Sequence, residues 1–317
     1  MSTFGDLRSL LHGAYTLEEQ NERWEDLLAM LESAHKSSPD EVEEQWLPYA
    51  LIQLESWEDE AKMAPRDWVN KLIRGISPGV LMALVRAIDV ARIGNPRFLK
   101  VCENDAFQWV THLSFGGHKI MLESIRALAT SRNFTNLTSL VFHDTNLGSV
   151  KLNALARASF IPTLKTLRLP NCELGGNEAK VIFDKFPFEA LHHLDLRDNP
   201  LYGSGARELR EAELPTLKTL TLSSYTSLDV IEECLRDSSW AGSLERFELV
   251  LNVMSVRKKL DDMRDETHLR RYLRERPGVA NQQFVPAYKE ELERILRYSA
   301  LREEVWMATL ARLPPGC

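Results

Sequence analysis

The hydrophobic positions of this chain fall into two regimes. From residue 110 onward one apolar template recurs: Val110-Thr-His-Leu113-Ser-Phe115, Leu137-Thr-Ser-Leu140-Val-Phe142, Leu164-Lys-Thr-Leu167-Arg-Leu169, Leu191-His-His-Leu194-Asp-Leu196, Leu217-Lys-Thr-Leu220-Thr-Leu222 and Leu244-Glu-Arg-Phe247-Glu-Leu249. The first positions, 110, 137, 164, 191, 217 and 244, stand 26 or 27 residues apart, a regularity that scattered leucines do not keep over six copies. Apolar positions four and six alternate with polar ones, which predicts a short strand with one buried face. Position 19 of the first five copies reads Leu128, Leu155, Ile182, Leu209 and Leu235, which predicts a return helix sharing the core of the strand. Phe134, Phe160, Ile161, Phe188, Leu214 and Trp240, at positions 24 and 25, plug the space beneath the next strand. No copy can bury such a face alone, so the copies must stack.

In the two best-fitting copies the ninth position is Cys172 or Asn199 and the eleventh Leu174 or Leu201. These residues resemble the leucine-rich repeat family, with its pattern LxxLxLxx(N/C)xL, and the spacing looks most like the ribonuclease-inhibitor-like subclass, in which each strand is followed by a helix. The resemblance covers about residues 107–256; His118 in the first copy and Tyr225 with Ser227 in the fifth depart from it. It implies an α/β fold, a leucine-rich repeat solenoid of about six strand-helix coils with a curved parallel sheet, flanked by α-helical regions. The ninth-position side chains are expected to face the core and satisfy backbone groups left open between coils, which makes Cys172 a ladder residue rather than a nucleophile.

Residues 1–105 lack the repeat and read as an acidic helical region, with helices over 21–34, 41–61, 66–73 and 80–92 broken at Pro39, Pro65, Pro78 and Pro96. The spacing of Trp46 and Trp57 places them on one face if a single helix continues past Pro48, with packing into the core as their use. Residues 106–256 form the solenoid, and residues 257–317 read as a C-terminal helical cap whose apolar side carries Leu292, Ile295, Leu296, Val305, Trp306 and Leu310. The basic string from Arg257 to Arg276 is interleaved with acids and reads as a solvated, self-paired helix.

Charge sharpens this division. The 317 residues carry a formal net charge of -7, which argues against a dedicated nucleic-acid binder, yet fourteen acids stand against only Arg23 and Lys36 between residues 18 and 60. Four cysteines far apart with no CxxC pair suggest free thiols in a reducing compartment, and the sequence shows neither a signal-like start nor a membrane-spanning apolar run. A cytoplasmic protein without membrane association is expected.

No Walker A loop, GxGxxG, HExxH, GxSxG or EF-hand string is present, so neither an enzyme nor a cofactor is expected. His112, His143, His192 and His193 fall at strand positions facing outward or at the edge, but three strand intervals of ~4.8 Å separate the first coil from the fourth, and no metal site is expected. The leading expectation is a non-enzymatic scaffold that binds a protein partner on the concave face through Val141, His143, Lys165, Arg168, His193, Asp195, Arg197, Lys218, Thr221, Arg246 and Glu248. Replacing Arg168 and Arg197 together by Glu is expected to abolish partner capture without lowering the melting temperature. The alternative is a regulator of an enzyme or GTPase acting through the acidic helical region. A hydrolase or ligase centred on Cys317 has no specifiable histidine partner.

Overall fold

The computed structural model describes residues 3–13, 15–91, 93–117, 119–201, 203–223, 228–250, 292–299 and 301–311. Seven strands form one parallel sheet in sequence order, alternating with helices, an α/β arrangement compatible with a repeat solenoid. The chain divides into two compact units, Met1–Phe115 with Thr130–Leu140, and Gly116–Ala129 with Val141–Cys317.

The first unit begins with helices α1 (Phe4–Leu11) and α2 (Leu17–Ser37), each opened by a reciprocal capping box, Thr3 with Asp6 and Thr16 with Glu19. The single helix expected over 41–61 is broken instead into α3 (Pro39–Glu41), a π turn at Val42–Trp46, α4 (Leu47–Gln53) and 3-10 turns at Leu54–Ser56 and Asp59–Ala61. Pro48 lacks the N–H an uninterrupted α-helix needs there, and the wider turn precedes it. Trp46 and Trp57 therefore share no helix, yet both are buried, as are Trp24 and Trp68. The indole N–H of Trp24 donates to the Met63 carbonyl at 2.7 Å, which ties α2 to the segment leading into α5 (Arg66–Ile73).

The helix expected over 80–92 is absent. A 3-10 turn at Val80–Leu84 leads into strand β1 (Ala87–Asp89), which pairs in parallel with β2 (His112–Gly116), Ala87 opposite His112 and Ile88 opposite Leu113. Val85, Ile88 and Val90 fill template positions one, four and six and are all buried, so one further strand of the repeat precedes the six read from the sequence. Helix α6 (Asn95–Glu103) then returns the chain to β2.

An ion pair between buried Lys62 and half-buried Asp59 lies in this unit. Lys62, 6% exposed, meets Asp59 at 2.7 Å and donates to the Leu54 carbonyl at 3.1 Å, while Thr111 Oγ1 donates to Asp59 at 2.6 Å. Burial acts to raise the Asp59 pKa, but the Lys62 and Thr111 hydrogen bonds outweigh it and hold the carboxyl below its ordinary value. A carboxyl lowered by folding contributes stability above its unfolded pKa and loses that contribution as pH falls through the folded one. The urea midpoint is expected to fall between pH 5 and pH 3, and less steeply in an Asp59→Asn variant; equal slopes would contradict this role.

The second unit contains α7 (Leu122–Thr130) up to Ala129, the end of β3 (Ser139–His143), then α8 (Gly148–Leu155), β4 (Thr166–Arg168), α9 (Gly176–Lys185), β5 (His193–Asp195), α10 (Gly203–Glu211), β6 (Thr219–Ser223), α11 (Leu228–Asp237) and β7 (Arg246–Val250). The pairing follows the sequence template: Leu167 lies opposite Leu194, Leu194 opposite Leu220, and Leu220 opposite Phe247. Leu155, Ile182, Leu209 and Leu235 from the helices and Phe160, Phe188, Leu214 and Trp240 from the turns are buried against them. Helix α9 packs between α8 and α10, and α10 against α11.

Beyond β7, helix α12 (Glu303–Ala311) packs on that strand; buried Thr309 donates to the Phe247 carbonyl at 2.8 Å, and Arg302 donates to that of Leu244 at 3.1 Å. These bonds occupy one carbonyl of the edge strand and one of the turn that leads into it. The basic string from Arg257 to Arg276, Met254, Cys317 and most of the expected cap lie outside the described residues. Among the described residues no helix is long and apolar enough to cross a membrane.

Candidate functional site

The inner positions of β4 to β7 are consumed by the core, so chemistry is left to the outward positions three, five and seven and to the residue that precedes each strand. Register brings these into rows across the second unit. One row runs Thr166, His193, Thr219, Arg246. The next runs Arg168, Asp195, Thr221, Glu248. Lys165 and Lys218 precede their strands and are exposed.

The charges on this face are largely held by neighbours. Arg197 meets Asp195 at 2.7 Å, and Asp195 also accepts from the Arg197 backbone N–H at 3.0 Å. Lys218 pairs with Glu245 at 3.0 Å and holds the Glu245 carboxyl below its ordinary range. Arg246 pairs with Glu248, which also accepts from Thr221 Oγ1 at 3.1 Å. Asp195 and Thr221 are buried, whereas His193, Lys218 and Arg246 are exposed and Arg168, Arg197 and Glu248 half-buried.

The Asp195 side chain is only 8% exposed, against 41% for Arg197. Arg197→Glu would leave a buried carboxylate facing a second one, a change that destabilises the fold. For Arg197 this pair gives the opposite of the expectation that Arg168 and Arg197 can be reversed together without loss of stability: a lower melting temperature is expected. Arg197→Ala is expected to lower the melting temperature by several degrees, while Lys165→Glu leaves it within about one degree. Differential scanning calorimetry of both variants checks this.

Val141 and His143 lie half-buried on β3. The end of β3 is tied to the end of β4, with the Asp144 N–H donating to the Pro170 carbonyl at 3.2 Å and Asn171 Nδ2 donating to Asp144 Oδ1 at 2.7 Å. The Asn171 bond, with His143 beside it, holds the Asp144 carboxyl below its ordinary range. Gly116 leaves room for the His143 ring; a Cβ there would overlap it. His112, by contrast, is 2% exposed and takes no part in an outward histidine set.

Beside these ends a cleft of about 590 Å³ is lined by Gly117, Lys119, Asp144, Asn146 and Lys151. Burial, and then the nearby Lys119, lower the Lys151 pKa.

A ladder beneath the face holds the coils in register. Asn199, fully buried, accepts from the N–H groups of Cys172 and Leu174 at 2.9 and 3.0 Å and donates to the carbonyls of Leu169, Leu196 and Arg197 at 2.6, 3.1 and 3.1 Å. Cys172 Sγ donates to the Phe142 carbonyl at 3.3 Å, and burial pushes its thiol pKa up to about 12. A thiol so placed is a structural donor, not a nucleophile.

One element of this edge escaped the sequence reading. Position eight of successive coils, Gly117, Asp144, Asn171 and Asp198, has φ values of 65°, 51°, 52° and 59°. Gly, Asp and Asn are the residue types that tolerate left-handed backbone, so their recurrence in register was the available signal. Asp198→Gly is expected to be neutral or slightly stabilising and Asp198→Val to cost about 1–2 kcal/mol, read from urea midpoints.

No protein-family model matches the chain, and no curated protein matches it.

Proposed function

We propose that the protein is a non-enzymatic interaction scaffold of the leucine-rich repeat type, most like the ribonuclease-inhibitor-like subclass, binding a protein partner on the outward strand face. The repeat type is supported by the in-register template leucines and by the asparagine and thiol bonds at position nine. The observation that carries the binding role is the continuity of the face: outward rows run unbroken from β4 to β7 over a fully apolar inner layer. A rigid sheet with ordered polar and charged side chains loses little conformational freedom on binding. A cytoplasmic setting is part of the proposal, in keeping with Cys102, Cys172 and Cys234, all free and buried.

Bulk without charge tests the site. Thr166 and Thr219 stand in one row on either side of His193 and are half-buried. Thr166→Trp with Thr219→Trp is expected to remove a specific co-purifying protein from native lysate while the far-ultraviolet spectrum stays unchanged. Undiminished capture by this folded variant would move the binding site off the face.

A further inference from the structure

We infer that the partner segment seated on this face is acidic and lies across β4 to β6. The inference rests on the reading of the strand face as the binding surface, and it comes from how charge is distributed there. In the six-residue windows 165–170, 192–197 and 218–223 the charged residues are Lys165, Arg168, Asp195, Arg197 and Lys218, a surplus of three positive charges on a chain whose formal net is -7. The only acid of these windows, Asp195, is buried and engaged by Arg197. His192 and His193 lie between the cations of β4 and those of β6, with ring centroids 6.3 Å apart. Arg246 meets Glu248 on the β7 side, whereas Glu245 meets Lys218 itself and reduces the surplus across β4 to β6 to two.

An acidic segment meets accessible cations here: Lys218 is 46% and Arg197 41% exposed, and Lys165 is exposed as well. A basic segment would meet the same charges as repulsion. A polynucleotide is disfavoured on two grounds. Four cations over two strand intervals neutralise few phosphates, and the net negative chain repels the rest of the polymer. Spacing narrows the partner further. Lys165 and Lys218 are two strand intervals apart, about 10 Å, which an extended peptide spans in about three residues. Acids at every third position of an extended segment would therefore bridge the two lysines.

The test uses a fluorescein-labelled peptide of five Glu-Gly-Gly repeats, titrated with the full chain and followed by anisotropy at two salt concentrations. Binding is expected to weaken with salt and to fall about ten-fold or more in a Lys165→Glu, Arg168→Glu variant. It should stay unchanged in Lys185→Glu, a single charge reversal on α9, where Lys185 donates to the neutral Asn153. Equal affinity in the wild type and the face variant overturns the inference, as does tighter binding of a single-stranded oligonucleotide of similar length. Self-association that the face variant removes would make the occupant a second copy and overturn a separate partner. The two readings separate in lysate capture. Loss in the Thr166→Trp, Thr219→Trp variant but not in the charge-reversed one overturns only the acidic partner, and loss in neither overturns the face itself.

Discussion

Asn199→Ala is expected to lower the stability of the second unit by about 3–5 kcal/mol, the largest effect of any single polar substitution here. Five hydrogen bonds converge on this fully buried amide, two accepted and three donated. A typical intramolecular hydrogen bond contributes about 1 kcal/mol net, but each buried group left without a partner costs about 1–3 kcal/mol, and water admitted to the vacancy recovers part of that. Asn199→Asp keeps the acceptor, loses the donors and adds a buried charge, so it should be at least as damaging. Cys172→Ala, which removes a weak thiol donor and little volume, should cost about 1 kcal/mol. Urea midpoints at constant m-value provide the comparison; a midpoint for Asn199→Ala within error of that for Cys172→Ala would refute the ladder's role.

Trp240→Ala is the apolar counterpart. The indole is 2% exposed, plugs the turn between α11 and β7, and donates to the Leu209 carbonyl at 3.0 Å. Truncation opens a cavity and removes one of the two donors to that carbonyl, which keeps the Ala212 N–H at 3.3 Å, and such changes cost about 3–5 kcal/mol. Trp240→Phe retains most of the volume without the donor, so about 1–2 kcal/mol is expected. The difference between the two variants separates packing from hydrogen bonding. Equal losses would show that the N–H, not the ring, dominates.

Much of the sheet was legible because one physical constraint repeats. Leu167, Leu194, Leu220 and Phe247 pair across four strands in the register their spacing predicts, since every coil must put the same positions into one core. The first strand was not legible for the same reason in reverse. Val85, Ile88 and Val90 occupy template positions, but they precede Val110 by 25 residues at position one, use β-branched side chains, and have Ile93 at position nine in place of Asn or Cys. The break at Val42–Trp46 also had no clear signal beyond Pro48, because a π turn keeps nearly helical spacing of apolar residues.

The candidate face divides in the same way. Alternation alone identified its outward positions, but it could not tell that Asp195 is covered by Arg197, because burial of an outward carboxylate depends on the rotamer of a residue two places along. For His112 the outward position is overridden by tertiary packing, which leaves it 2% exposed. Nothing in a single repeat states which outward residues meet a partner; that follows from the surface the coils make together.

Site-specific photocrosslinking decides whether the outward face of β4 to β7 is the binding surface. A benzophenone amino acid would be placed at Thr219 on β6, at Lys180 on α9, and at Glu25 on α2, all in the full chain in native lysate. A discrete protein adduct is expected from Thr219 alone, identified by mass spectrometry. An adduct from Glu25 with none from Thr219 would contradict it and assign binding to the acidic helices.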